Sequence, residues 1–503
     1  MLFESLERLV TARYRRRLGL LRTGQAEAEA RFIARYMEAL RGTAFGRSHE
    51  FAKVRTPGDF ARAVPVRAYD EFLPWIERTL DGAPDVLVPG RPRYYGVTTG
   101  TTGGEKRIPV TERLTDAAKA GFLTLLTAAL DDVRRAHPHA PSVIGGKLLV
   151  LGATMPLRPE RDGVLAGTMS TIAIRERPWW LHRKIVPGNE LDELPTWEEK
   201  LEALAKLTSR LDVRVVAGMP PWLLALFERL VASHGGAAIR TIWPKLALLL
   251  HAGTFMRPYR DRLAHHVIAA IPFRNMYSAT EAVFAIQDTN DEGLLPLVDE
   301  VFIELIPVES DDATSPPRIP VSQAEVGVEY AVVCTSWTGL AACRMGDTVR
   351  VVSRNPVRVV VTGRTRQRAS IAGEKVTIDE IEQSLIDVAG ELGFSFAEFV
   401  VVPEGPDAAS DGRPRHHWFI EFRATVPLDV VRRIAAALDR ALASRSATYR
   451  VRREGSTPAL GAPVVTRIPE GSFVAWLARS NRQGSQNKVP RIIEEVPDEF
   501  KLH

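Results

Sequence analysis

From about residue 145 the sequence alternates short apolar runs with amphipathic stretches, and this alternation narrows the possible folds more than any other feature. The runs are 147–153, 213–218, 246–250 and 273–277, and between them lie amphipathic segments such as 197–210 and 222–233. Short apolar runs fit strands buried on both faces, and the segments between them fit crossover helices, so the pattern predicts α/β layers with largely parallel strands. From about 300 to 363 the character changes. The runs 302–307, 329–334, 349–352 and 357–361 have little helix between them and predict an antiparallel, β-rich subdomain, with 309–320 as a polar, Pro-rich loop. After Gly363 a compact α+β unit is expected: helix 378–388, strand 396–402, a polar loop 403–414, strand 417–422 and helix 428–443. The boundary falls near Arg366, giving a large N-terminal domain, residues 1–365, and a small C-terminal domain, residues 366–503.

Composition limits what such a chain does. Of 503 residues, 45% are hydrophobic and 25% charged, which suits a folded chain of several domains and excludes a disordered one. The net charge of +5 is slight, and 55 of the 66 basic residues are Arg, leaving 11 Lys. A nucleic-acid binder concentrates its basic residues. Here the one dense run is Arg13, Arg15, Arg16, Arg17 and Arg22, interleaved with Leu18, Leu20 and Leu21, which reads as an amphipathic helix with a solvated basic face; a membrane or partner contact is the competing reading. Helical periodicity covers residues 1–45. The two cysteines, Cys334 and Cys343, read as free thiols of a reducing compartment. No run of 18 apolar residues exists and the first residues lack a leader pattern, so the expected location is the cytoplasm.

Five segments carry chemistry. Thr98-Thr99-Gly100-Thr101-Thr102-Gly103-Gly104-Glu105-Lys106 follows the plausible strand 94–97 and supplies backbone N–H groups and hydroxyls suited to a polyphosphate. It is not a Walker A loop, because Glu105 stands at the second Gly position counted from Gly100. Tyr277-Ser278-Ala279-Thr280-Glu281, after a strand, offers an aromatic for a base, a hydroxyl for a phosphate and a carboxylate for Mg²⁺. Arg344-Met345-Gly346-Asp347 with Gly363-Arg364 puts Asp347 where a strand turns, suited to ribose hydroxyls. Gly373-Glu374-Lys375-Val376 leads into a helix, and Gln486-Asn487-Lys488-Val489-Pro490-Arg491 lies near the C-terminus; each holds one of the few Lys residues.

In order and spacing these five resemble the adenylate-forming superfamily. The Arg344–Val351 stretch, Glu374-Lys375, and Gly471-Ser472-Phe473 followed by 486–491 resemble one branch, the Gretchen Hagen acyl-acid amido synthetases. The Pro-x-Thr-x-Ser-Gly-Lys ending usual in acyl-CoA synthetases is absent. The resemblance implies the adenylate-forming enzyme fold with 1–365 as a nucleotide- and acyl-binding domain and 366–503 as a mobile cap. It implies ATP and Mg²⁺, with a small carboxylic acid and an amine, an amino acid, as substrates of a monomer that binds no nucleic acid. By the same resemblance Thr98, Thr99, Gly100, Thr101, Thr102 and Gly103 would cradle phosphates, Tyr277 would pack on adenine, Thr280 would meet the α-phosphate, Glu281 would ligate Mg²⁺, and Asp347 and Arg364 would grip the ribose. Lys375 and Lys488 would come from the cap, Lys488 stabilising the adenylation transition state, with Arg366 at the hinge. Three departures stand out: Ser278 replaces a Gly, Cys343 stands where relatives carry an aromatic, and Thr replaces Ser in the loop. Transfer to CoA or a carrier thiol is the nearest alternative, and a non-catalytic nucleotide-binding protein the more distant one.

The acyl pocket is less legible. The stretch 249–256 forms one candidate wall; Met155, Trp179, Trp180, Met219 and Trp222 are further candidates for which core packing competes, and Arg158, Arg161 and Arg175 could meet a carboxylate or lie on the surface. Other patterns fail. His265-His266 lacks the Asp of an acyltransferase motif, since Ala270 holds that position; His137, His139, His416 and His417 lack zinc-ligand companions; and no Gly-x-Ser-x-Gly elbow is present.

Overall fold

The computed structural model describes residues 2–99, 105–140, 142–152, 157–177, 182–187, 191, 194, 197–253, 256–268, 271–291, 293–311, 316–365, 369, 371–372, 374, 376–406, 412–454, 459–479, 489–493 and 495–500. Strands are numbered here in chain order. The seven-stranded sheet has the order β11-β10-β9-β8-β7-β3-β6. It is built from β3 (Lys147–Leu151), β6 (Ile185–Val186), β7 (Val213–Gly218), β8 (Leu248–Ala252), β9 (Phe273–Ser278), β10 (Val283–Ile286) and β11 (Leu295–Pro296). From β6 to β9 neighbouring strands are parallel, while β10 and β11 return antiparallel. Helices Trp197–Thr208, Pro220–Ser233 and Arg257–Val267 are the crossovers. Their apolar stripes close over Leu149, Val216 and Leu249 with Leu204, Leu223, Phe227 and Leu263, all buried. The layered parallel architecture expected from the alternation is therefore present.

A second sheet, β2-β1-β5-β4, holds the hairpin of β1 (Tyr94–Thr99) and β2 (Glu105–Val110), with β4 (Arg158–Pro159) and β5 (Leu165–Gly167) beside it. Hairpin register runs from Tyr94↔Val110 to Thr99↔Glu105. The β-rich region is a five-stranded sheet of order β13-β12-β14-β15-β16, made of β12 (Phe302–Pro307), β13 (Ile319–Pro320), β14 (Glu329–Thr335), β15 (Cys343–Arg354) and β16 (Val357–Arg364). The expected Pro-rich loop 309–320 thus ends in a short strand. The α+β region pairs β17 (Phe396–Glu404) antiparallel with β18 (Arg415–Phe422), and β19 (Val464–Ile468) parallel to β18. Helices Ile378–Leu392 and Leu428–Arg445 cover this sheet through Ile381, Leu385, Ile434 and Leu438, against Val401, Trp418 and Ile420. The first of them starts on a capping box, Thr377 with Glu380. The chain divides into two compact units: Met1–Met345 with Val349–Val360, and Gly346–Thr348 with Val361–His503.

The arginine-rich segment is helical, Leu2–Thr23, but its basic face is not simply solvated. Arg15 forks onto Asp131 at 2.7–3.0 Å, Arg17 onto Asp299 at 2.7 Å, and Arg22 meets Asp288 at 2.8 Å. Bidentate arginine pairs of this kind fix orientation as well as contributing energy. The partners lie 116 to 282 residues away, so a local pattern cannot reveal them.

Candidate active site

The site begins at a close approach. A Cβ added to Gly96 of β1 would stand 2.4 Å from Thr280 Cγ2, with Val110 Cγ2 at 3.4 Å and Met169 Sδ at 3.6 Å. Only a glycine leaves room for Thr280 there. Two segments nearly two hundred residues apart, the strand entering the Thr/Gly loop and the element 277–281, are thereby held together.

The local turn displays the second segment. β9 ends at Ser278, Ala279 N–H donates to Ala282 C=O at 2.9 Å, and β10 begins at Val283, so Thr280 and Glu281 ride the tip of a tight hairpin. Tyr277 lies opposite Ala285, and its ring stacks on Phe284 at 4.7 Å and 22°. Phe284 therefore fixes the orientation of an aromatic platform. Glu281 is only 9% exposed. Its carboxylate is within electrostatic reach of Tyr69, Cys334 and Cys343. Burial pushes the Cys343 thiol up, Glu281 adding to the shift and Lys106 opposing it.

Lys106 is a functional candidate that appears in the first motif without an assigned role. It lies opposite Thr98 in the hairpin, at the far end of the loop. Its Nζ sits 4.9 Å from the centre of the Tyr69 ring. Tyr69 in turn is locked to β2: its hydroxyl accepts from Arg107 N–H at 2.8 Å and donates to Arg107 C=O at 3.1 Å, and burial pushes the phenol up to about 12. The signal available in the sequence is the rarity of Lys.

Thr98 is half-buried and Thr99 ends β1. Gly100, Thr101, Thr102, Gly103 and Gly104 lie outside the described residues, as do Lys375, Lys488, Arg366, Met155, Trp179, Trp180, Thr254 and Phe255. Among acyl-pocket candidates, Leu249 and Met256 belong to the apolar core and Trp222 packs against it. Arg158 pairs with Glu105, and Arg161 with Glu77 and Asp81. Arg175 is exposed.

In the second unit, Asp347 is inside the long strand β15 rather than at a strand turn. The bend comes from its neighbour Gly346, at φ +75°, whose carbonyl accepts from Thr365 N–H at 2.8 Å. Asp347 accepts from Arg364 Nε at 2.9 Å. Glu374, fully buried, accepts from the N–H groups of Ile371 (2.9 Å) and Ala372 (2.7 Å) and from His416 Nε2 (2.8 Å). Burial pushes its carboxyl up, but these hydrogen bonds outweigh burial and hold it below the usual carboxylate range. Arg491 is buried between Glu382 (2.6 Å) and Glu398 (3.0 Å), and the adjoining Ile492 bridges to Val401. Gly471-Ser472-Phe473 opens helix Ser472–Arg479, where Glu421 accepts from Gly471 and Phe473 N–H.

No group of three or more His, Cys, Asp or Glu among the described residues could hold a metal by itself. A single buried carboxylate such as Glu281 fits Mg²⁺, which takes one or two carboxylates and completes its shell with substrate phosphates and water.

A mostly parallel sheet with an aromatic, a hydroxyl and a carboxylate at its carboxyl edge, joined by a β-rich sheet and an α+β unit, is the fold of the acyl acid amido synthetases. The solved GH3.15 acyl acid amido synthetase matches with a TM-score of 0.76 at 15% identity, covering 96% of this chain and 93% of that one. The chain belongs to the GH3 family: the models of the GH3 family N-terminal, central and C-terminal domains match residues 16–191, 294–364 and 379–497. A GH3 domain-containing protein of Mus musculus is 28% identical over 336 residues, and that match spans 62% of each chain, less than two thirds of the relative's length. A probable indole-3-acetic acid-amido synthetase GH3.4 of Oryza sativa subsp. japonica is 21% identical over 541 residues, 88% of this chain and 83% of the relative. No helix among the described residues is long and apolar enough to cross a membrane.

Proposed function

We propose that the chain is an ATP-dependent acyl-acid amido synthetase, a ligase that joins a small carboxylic acid to an amine, an amino acid, through an acyl-adenylate. A carboxylic acid and an amine exchange a proton rather than condense, and the resulting carboxylate has no good leaving group to offer a nucleophile. Attack of a carboxylate oxygen on the α-phosphorus of ATP breaks the bond to pyrophosphate and forms acyl-AMP. The amine nitrogen then attacks the acyl carbon, the bond to AMP breaks, and the nitrogen loses a proton. The first step brings two anions together, so positioning and charge neutralisation are the protein's main task.

In this reading Thr98, Thr99, Gly100, Thr101, Thr102 and Gly103 hold the phosphates, with Lys106 as counter-charge. Tyr277 carries the adenine on a ring backed by Phe284, and Thr280 meets the α-phosphate. Glu281 would hold Mg²⁺, which when bound neutralises the polyphosphate. Asp347, oriented by Arg364, takes the ribose. Residues 1–365 form the nucleotide- and acyl-binding domain and 366–503 the cap, whose Lys375 and Lys488 are the proposed catalytic lysines. The enzyme is proposed to act as a cytoplasmic monomer without a nucleic-acid partner.

The observation that carries this reading is the approach of Gly96 to Thr280, which joins the phosphate-loop strand to the 277–281 element. The test is carboxylate-dependent ATP–pyrophosphate exchange, followed by detection of an amide with amino acids. Absence of exchange across a broad panel of acids would overturn the reading. Exchange followed by transfer to CoA alone would move the chain to the thioester-forming branch.

A further inference from the structure

Open α/β sheets bind ligands beyond the carboxyl ends of their strands. β8 reaches that edge with His251, which is 5% exposed. Its Nδ1 is buried without a hydrogen-bond partner. Burial, with Arg260 adding to it, pushes the imidazole down to about 3, so at neutral pH the ring keeps one N–H donor and one lone pair.

Sheet register defines its surroundings. Leu249 lies opposite Phe273, and His251 opposite Asn275. Side chains two residues apart share a face. Leu249 and Phe273 are core residues, and Tyr277 follows two places after Asn275. Along this one face the packed core therefore gives way to His251 and then leads to the Tyr277 ring. Arg260 sits 6.0 Å over the Phe273 ring on the same side, exposed and with no carboxylate partner among the described residues.

A buried polar atom without a partner costs about 1–3 kcal/mol. The unpaired buried atoms of Arg177, Arg274, Glu304, Arg318, Arg415 and His416 belong to side chains that hold another partner, and those of Tyr36, Trp418 and Ser384 lie in other cores or on helix Ile378–Leu392, not on this strand. His251 has none at either nitrogen among the described residues, and an apolar side chain there would avoid the cost. We propose that His251 is a specificity-determining residue that hydrogen-bonds the acyl substrate, and that this substrate is an acid carrying a hydroxyl or carbonyl oxygen close to its carboxylate. The proposal rests on the adenylation reading above.

The experiment pairs acids that differ by one oxygen: butanoate with 2- and 3-hydroxybutanoate, and phenylacetate with 2-hydroxy-2-phenylacetate. Binding to the full chain is measured by calorimetry, and turnover by pyrophosphate exchange. Wild type prefers a hydroxylated member by about 10–100-fold, as one buried hydrogen bond allows. His251→Leu abolishes the preference and leaves the melting temperature equal or higher, while His251→Gln keeps part of it. Equal binding of both members by wild type overturns the proposal, as does a preference that survives in His251→Leu. Preferential binding without any exchange supports the subsite and overturns the adenylation reading. Brisk exchange blind to the hydroxyl does the reverse.

Discussion

Gly96→Ala perturbs the contact between β1 and the 277–281 element directly. The new methyl would lie 2.4 Å from Thr280 Cγ2. Carbon atoms rest at about 3.5–4.0 Å, so roughly 1 Å of separation has to be created. Thr280 is β-branched, and Cγ2 shares its Cβ with the hydroxyl. Rotating the methyl away moves Oγ1 from its pose; otherwise β1 itself shifts. Overpacking of this size costs about 1–3 kcal/mol of stability. A displacement near 1 Å at a reacting centre costs about 10²-fold in rate. Gly96→Ala is therefore expected to lose about 100-fold in exchange kcat/KM, with a modest fall in melting temperature. Thr280→Ser keeps the hydroxyl and deletes Cγ2, so it is the reference for a double variant. Adding Gly96→Ala to Thr280→Ser is expected to cost less than about tenfold more, which gives a large coupling energy between the sites. Wild-type activity and stability in Gly96→Ala, or a double variant as impaired as Gly96→Ala alone, would refute the reasoning.

Three further outcomes follow from other contacts. Burial pushes Glu29 up to about 7, against two hydrogen bonds from Ser322 and with help from Glu304. A carboxyl raised above its unfolded value of about 4.3 stabilises the fold fully below that value, and the contribution is lost as pH rises through about 7. Glu29→Gln should therefore flatten the fall in melting temperature between pH 5 and pH 8. Asp288 has a fully buried side chain held by Arg358 (Nη2 at 3.2 Å) and Arg22 (2.8 Å). Asp288→Ala leaves Arg358 buried without its partner and should cost about 3–5 kcal/mol in denaturant unfolding. Glu281→Gln should raise the Mg²⁺ concentration for half-maximal exchange at least about tenfold, read from a metal titration after chelation, since a charged ligand is replaced by a neutral one.

Much of the architecture was readable because strands end where turn chemistry or a proline forces them to. Val213–Gly218 and Phe302–Pro307 fall where the apolar runs do, one followed by Pro220 and the other closed by Pro307. The 25-residue helix Glu112–Ala136 lies outside the expected elements, although Thr111 caps it by accepting from Leu114 N–H. β19 is likewise not among the expected elements, since a five-residue strand after a helix pair becomes evident only from its parallel register with β18. The pentapeptide Tyr277–Glu281 was legible as chemistry, but its meeting with Gly96 is a long-range contact that local pattern cannot encode. Asp347, next to Gly346, is expected where a strand turns. The glycine instead bends a strand that continues to Arg354. The partners of the basic helix face are hidden for a similar reason, as its carboxylates are distant in sequence.

That last feature bears on how the chain is made. Helix Leu2–Thr23 leaves the ribosome before any of the aspartates that pair with it, which stand at 131, 288 and 299. Contacts this remote close late, after the intervening chain has paid the entropy of loop closure. Until residue 131 emerges, the cationic face of this segment has none of these three partners, and a bare cationic amphipathic helix is the kind of surface that adheres to anionic lipid and RNA. The aspartates thus do more than fasten a finished fold: each one that emerges gives part of this cationic face an internal partner.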